Sequence, residues 1–180
     1  MDYVHSTSKD TKVKEMNYKL TKWYYVPSKM HKINSDTSSL CWRECGEEGN
    51  HAHIWWQCRV IQTYWVEVLR LIKQIEGKGI ELDPWKCLFH AMEGQRKDYR
   101  TSLTPFLLNA AKALIPRNWR NKDPPKVREW FSEVDKIRVM EELISHQEEV
   151  EIKFQETWGK WIHFKQSQSY LRIMGSEENI

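Results

Sequence analysis

Apolar side chains recur along most of this chain three or four residues apart, the spacing of helices that bury one face. The clearest stripe is Val60, Ile61, Tyr64, Trp65, Val68, Leu69, Ile72 and Ile75, with Arg59, Glu67, Arg70 and Lys73 mostly outside it. Gly77-Lys78-Gly79 ends that helix. Upstream, Val13, Met16, Leu20 and Trp23 or Tyr24 predict a helix capped by Ser8 or Asp10. Val26-Pro27 ends it, because the residue before a proline is pushed out of the helical region. Pro27 then opens a short helix over 28–33. Asp83-Pro84 starts a short segment over 85–92 whose type stays open. Three more helices are predicted over 103–115, 126–147 and 150–166, the first with Pro105 in its opening turn and Pro116 at its close. No run alternates with a period of two and no repeat is visible, so the class is mainly α.

Composition changes this picture little; charge changes it more. The 180 residues carry a formal net charge of only +3. Residues 1–40 hold seven Lys/Arg against four Asp/Glu, residues 81–126 nine against five, and residues 127–180 seven against eleven. A basic side could meet phosphates, and an acidic tail would face solvent or a protein. Met1 is followed by Asp2 with no apolar run before Lys9, so no secretory signal is expected. No apolar run is long enough to cross a bilayer, since Asn109 and Lys112 interrupt the best one. The expected location is intracellular, in cytoplasm or nucleus, with no membrane partner. In a reducing compartment clustered cysteines read first as ligands.

Three of the four cysteines are clustered. Cys41, Cys45, His53 and Cys58 follow the pattern C-x3-C-x7-H-x4-C, a ligand set suited to a closed tetrahedral structural zinc site. Such a site leaves no position for an activated water. Gly46 and Gly49 suit a tight metal loop. The separation of His53 and Cys58 carries a warning, because positions five apart on an ideal helix point about 140° away from each other. Either a helix starts near Cys58, or one ends near His53, or no metal is held. His51 is a poorer ligand, two helical turns from Cys58. The fourth cysteine, Cys87, is expected to be a small buried hydrophobe. The parts divide as N-terminal helices and linker (1–36), the CCHC motif (37–60), a helical C-terminal domain (61–168) and a disordered tail (169–180). The whole is a small zinc-knuckle-like loop packed on a multi-helix body.

The segment Thr37-Ser38-Ser39-Leu40-Cys41-Trp42-Arg43-Glu44-Cys45-Gly46-Glu47-Glu48-Gly49, followed by His53-Ile54-Trp55-Trp56-Gln57-Cys58, closely resembles the cysteine-rich motif near the C-terminus of LINE-type non-LTR retrotransposon polyproteins. Tyr18-Lys19-Leu20 and Trp23-Tyr24-Tyr25-Val26-Pro27-Ser28 are similar to the family's link between polymerase thumb and motif. Trp65, Asp83-Pro84, Ala111-Lys112 and Trp119 are similar to its helical tail. The likeness spans about residues 18–166. It implies Cys41, Cys45, His53 and Cys58 as the ligand set, with RNA or single-stranded DNA and a reverse transcriptase as partners. It also implies a detached or captured piece of a longer polyprotein. It brings no catalytic residue: no two Asp residues are adjacent, so the family's Ala-Asp-Asp polymerase box is missing.

Nor does any nucleophile triad or phosphate-cradling loop stand out, and the chain is expected not to be an enzyme. The expected nucleic-acid contacts are Lys29, Lys32, Arg43, Arg59, Arg117, Trp119 and Arg120, with Lys19, Lys22 and Lys122 as further phosphate candidates. Of Trp42, Trp55 and Trp56, at least two are expected to pack over the metal and the helix that follows. A protein-docking module and a remnant without function are the alternatives.

Overall fold

The computed structural model describes residues 11–22, 25–91, 102–147 and 151–175. Among the described residues eight α-helices follow in order: α1 (Thr11–Lys22), α2 (Pro27–Ile33), α3 (Arg59–Glu76), α4 (Pro84–Phe89), α5 (Thr104–Asn118), α6 (Val127–Gln147), α7 (Glu151–Lys165) and α8 (Gln168–Gly175). A single π-helical turn, His53–Gln57, precedes α3. Among the described residues there is no strand, only an isolated antiparallel bridge between Leu40 and Glu48. The mainly α class is as expected.

The periodic stripes become the core. On α3, Ile61, Tyr64, Trp65, Val68, Leu69, Leu71, Ile72 and Ile75 are buried. Gly77 takes the left-handed conformation and its N–H closes on the Lys73 carbonyl, as a helix-ending glycine should. Asp83 caps α4 by accepting from the Lys86 N–H, so the segment of open type is a helix as far as Phe89. Residue 92, at the far end of that segment, lies outside the described residues, as do Ser8, Asp10, Trp23 and Tyr24.

α5 is the middle of the bundle and packs on α1, α3, α4 and α6. Buried polar groups are paired across these contacts. The Trp130 indole donates to the Leu107 carbonyl at 3.0 Å, and the Tyr64 hydroxyl to the Ala111 carbonyl at 3.2 Å. Lys112, read from sequence as an interruption of an apolar run, is fully buried. Its Nζ donates to Asn17 Oδ1 at 2.8 Å and to the Leu88 carbonyl at 3.1 Å, and it meets His90 Nε2 at 3.1 Å. Three partners match the three donors of an ammonium. Burial still pushes this lysine down to about 7. Burial, and then the charge of Lys112, hold His90 well below the usual histidine range.

Two expectations need correction. Pro116 does not close α5, which runs on to Asn118. The extra turn is held from outside: Arg117 makes a two-pronged ion pair with Glu133 of α6, at 2.6 and 2.8 Å, and the Asn118 amide donates to the Leu114 carbonyl. The tail from 169 is not wholly disordered, since 168–175 form α8. Tyr170 is buried and stacks on Phe131 at 5.0 Å between ring centroids, and Arg128 donates to the Met174 carbonyl at 2.6 Å. The sequence signal was the Tyr170, Ile173 and Met174 spacing, hidden among polar neighbours.

Candidate metal centre

The loop that carries the first two cysteines is pinned at both ends. The Gly49 N–H donates to the Ser39 carbonyl and the Cys41 N–H to the Glu47 carbonyl, both at 2.9 Å. Between them the chain reverses with Glu44 and Gly46 at positive φ, 56° and 89°. Gly49 is also pressed against α2: its carbonyl accepts from the Ser28 N–H, and an added Cβ would lie 2.5 Å from Pro27 Cγ. Gly49→Ala is therefore expected to destabilise the fold by about 1–3 kcal/mol, as overpacking against a rigid ring does. Urea unfolding checks this, and an unchanged midpoint would contradict the close packing.

The second half of the site solves the angular problem posed by the sequence. Asn50 Oδ1 accepts from the His53 N–H at 2.9 Å and starts the turn. The Cys58 N–H then bonds the His53 carbonyl at 2.9 Å. This is the i→i+5 closure of a π turn, in which residue 58 rather than 57 comes round above residue 53. Cys58 has an extended ψ and is the residue from which α3 starts, the first of the three alternatives left open above. The junction leaves carbonyls outside the regular ladder. The Trp65 indole takes that of Trp55 at 3.1 Å, and the Gln62 amide takes that of Trp56 at 2.7 Å.

One ligand atom from each of Cys41, Cys45, His53 and Cys58 lies within 4.8 Å of all the others. With metal–sulfur bonds of about 2.3 Å and metal–nitrogen bonds of about 2.0 Å, the edges of a tetrahedral site are about 3.5–3.8 Å. The four donors are thus close enough to hold one metal ion, and the donor set fits. Cys45 Sγ stands 3.2 Å from His53 Nε2, which makes Nε2 the ring nitrogen facing the thiols. Cys41, His53 and Cys58 are buried and Cys45 is half-buried. His51 is not in the cluster; its Nε2 is buried without a hydrogen-bond partner.

The surroundings favour the ligand form at two of the four positions. Burial, followed by the charge of Arg43, lowers His53 and keeps its imidazole neutral. At Cys58 burial favours the thiol, but the backbone N–H groups of Val60 and Ile61 at the start of α3, with Arg43, outweigh it and lower the pKa. Cys41 differs: burial pushes its thiol up to about 12, against a bond from the Arg43 backbone N–H. A divalent cation inverts that preference by deprotonating the thiol it binds.

The expected phosphate contacts fall in several places. Lys32, Arg59 and Arg120 are exposed. Lys29 lies over the Tyr25 ring at 4.8 Å. Arg117 is committed to Glu133. Arg43 is a correction: it is only 3 % exposed, with Nη1 donating to the Ile54 carbonyl at 3.0 Å, so it faces the metal loop instead of solvent. Trp119 and Arg120, far along the chain, pack on the metal loop itself. Trp119 lies 5.2 Å from Trp42 between ring centroids, Arg120 lies over the Trp42 ring at 5.4 Å, and Lys122 pairs with Glu44 at 2.7 Å. Sequence reasoning had grouped Trp119 with its basic neighbours but could not see that Trp42 was their seat. Trp55 is fully buried in the core and Trp56 is half-buried against Trp65, so Trp56 packs on the following helix as expected. Cys87 is fully buried, and burial pushes its thiol up to about 12.

Fold and site together define a helical protein stapled at one end by a three-cysteine, one-histidine cluster able to hold a metal ion. No family model matches the chain. No helix among the described residues is long and apolar enough to cross a membrane.

Proposed function

We propose that this chain is a non-catalytic module that binds RNA or single-stranded nucleic acid, with a structural zinc ion fixing the loop that presents the contacts. The observation that carries the reading is the docking of the basic 119–122 segment, just after α5, on the metal loop through Trp119, Arg120 and Lys122. A zinc ion at Cys41, Cys45, His53 and Cys58 would hold Trp42 in place, and Trp42 in turn holds Arg120. Arg120, Lys122, Arg59 and Lys32 offer exposed cations for a phosphate chain, and Trp119 offers a half-exposed ring beside them. The likeness to the C-terminal segment of LINE-type polyproteins supports the same reading. It also suggests a chain that worked beside a reverse transcriptase.

The test is binding of a fluorescent single-stranded RNA 20-mer by the zinc-loaded protein as salt is raised. For single strands log K should fall with a slope near −0.7 per neutralised phosphate. Arg120→Ala with Lys122→Ala should make the slope shallower by about two contacts, and Trp119→Ala should weaken binding by about 5- to 100-fold if the ring stacks on a base. A salt-independent or undetectable interaction removes the proposal.

A docking role has one specific observation in its favour. Val139, Met140 and Leu143 form an exposed apolar strip on α6. It borders a groove of about 870 Å³ between α1, α5 and α6, floored by Val13, Met16 and Ile137. Loss of RNA binding with retention of a protein partner at that strip would favour this second reading.

A further inference from the structure

Arg43 poses a problem that its neighbours in the chain do not solve. Its side chain is buried, one nitrogen donates to the Ile54 carbonyl, and Nε and Nη2 have no hydrogen-bond partner. Among the described residues no carboxylate forms an ion pair with it. An arginine does not escape by losing its proton, since its guanidinium stays charged at any pH a protein tolerates. A buried, uncompensated charge costs several kcal/mol and calls for an opposite charge close by. Glu47, whose charge acts on His53 in the opposite sense, is exposed, and the buried candidates are the thiol groups of the cluster. Arg43 sits between Cys41 and Cys45 in the chain, and its charge acts on both His53 and Cys58.

The charge count of the ligand set is decisive. Three thiolates and a neutral imidazole around one divalent ion leave a net charge of −1, with Cys41, His53 and Cys58 buried. One guanidinium cancels it. We propose that Arg43 is the built-in counter-charge of the metal centre: a positioning residue that makes a three-thiolate site for a divalent ion electrically neutral. The inference rests on the metal-site reading above. It goes beyond it in assigning a role to a residue that donates no ligand and in fixing the charge of the ion together with its thiolates. Nη1 is anchored on the Ile54 carbonyl, inside the π turn, so a side chain from the first half of the site is tied to the second. Nε and Nη2 are the N–H groups left to turn toward thiolate sulfur.

The experiment uses the full chain, purified reduced, with Zn2+ affinity measured by competition against a chromophoric chelator. Wild type is compared with Arg43→Lys, which keeps the charge, and Arg43→Gln, which keeps a donor for Ile54 but not the charge. Arg43→Gln should bind Zn2+ about 10- to 100-fold more weakly, the usual cost of losing a partner that supports metal ligands, and Arg43→Lys should stay within a few-fold of wild type. With Zn2+ held at saturation for each variant, alkylation of the metal-bound cysteines by iodoacetamide reads the negative charge left on the bound thiolates. The rate should rise in Arg43→Gln, whose thiolates keep more negative charge, and not in Arg43→Lys. Equal affinities for wild type and Arg43→Gln overturn the inference, as does a loss in Arg43→Lys as large as that in Arg43→Gln. Should Arg43→Gln fail to fold, the lysine variant decides alone: a tenfold or greater loss overturns the proposal and near-wild-type binding supports it. A wild-type chain that takes up no metal overturns the metal-site reading itself, an outcome distinct from the others.

Discussion

Removing the metal with a chelator under reducing conditions is expected to lower the thermal midpoint of this protein by roughly 10 °C. The size follows from linkage. Free metal a thousandfold above its Kd stabilises the folded chain by about 4 kcal/mol. For a chain of this length each kcal/mol moves the midpoint by about 2–4 °C. The loss should not stay inside the loop. Cys58 is fully buried and is the residue from which α3 departs, so an ion held by the cluster would tie the loop to the first turn of a core helix. Cys58→Ser should show the lowered midpoint without chelator and no recovery on adding Zn2+. Circular dichroism melts of both proteins, with and without Zn2+, are the check; a wild-type midpoint indifferent to chelator would defeat the expectation.

The second large effect is a rise in stability from pH 7 to pH 9, set by Lys112. Its folded-state pKa is about 7 against an ordinary 10.5. Between those values the unfolded chain binds a proton that the folded chain does not, so stability increases with pH. Each pH unit contributes about 1.4 kcal/mol where the difference is complete, and because it is half complete at pH 7 the gain over the two units is about 2 kcal/mol. Above pH 9 the trend is opposed. Burial pushes Cys87 up to about 12 and raises Tyr64 well above its ordinary value, so both keep protons that the unfolded chain gives up. Below pH 6.5 His90 adds a loss, because the folded chain resists the proton that the unfolded imidazole accepts. Optimum stability is therefore expected near pH 9. Lys112→Met should flatten the rise between pH 7 and 9 in urea titrations while leaving the acid loss. A wild-type profile already flat over that interval would count against a buried, proton-shedding lysine.

The helices were legible because each buries one face, and burial of one face writes its period into the residues. α3 shows this best, since its stripe and its glycine stop both appear in the letters. The ligand set was legible for the same reason: thiol and imidazole side chains are chemically distinctive, and their order is local. What could not be read depends on partners distant in the chain. Lys112 looked like a polar break because its acceptors are Asn17, 95 residues upstream, and two positions on and after α4. Arg43 looked like a phosphate contact because nothing in Trp-Arg-Glu says which way the guanidinium turns. Pro116 obeyed its local rule on paper and lost to Arg117 and Glu133, which hold the following turn from the next helix. Cys58 was suspect on an ideal helix, and a single widened turn removed the objection.

That widened turn also fixes the phase between the Cys/His cluster and the core. α3 leaves directly from the last ligand, so its azimuth is set by how many residues separate His53 from Cys58. Deleting one of them would turn every downstream side chain by about 100° on a helix of 3.6 residues per turn. Tyr64 and Leu71 would then take the exposed places of Thr63 and Arg70, with Arg70 carried into the buried place of Leu69. Insertions and deletions in this interval therefore disturb the core itself, whereas in the 34–39 linker the same change breaks local turn bonds such as Thr37 N–H to the Asn34 carbonyl.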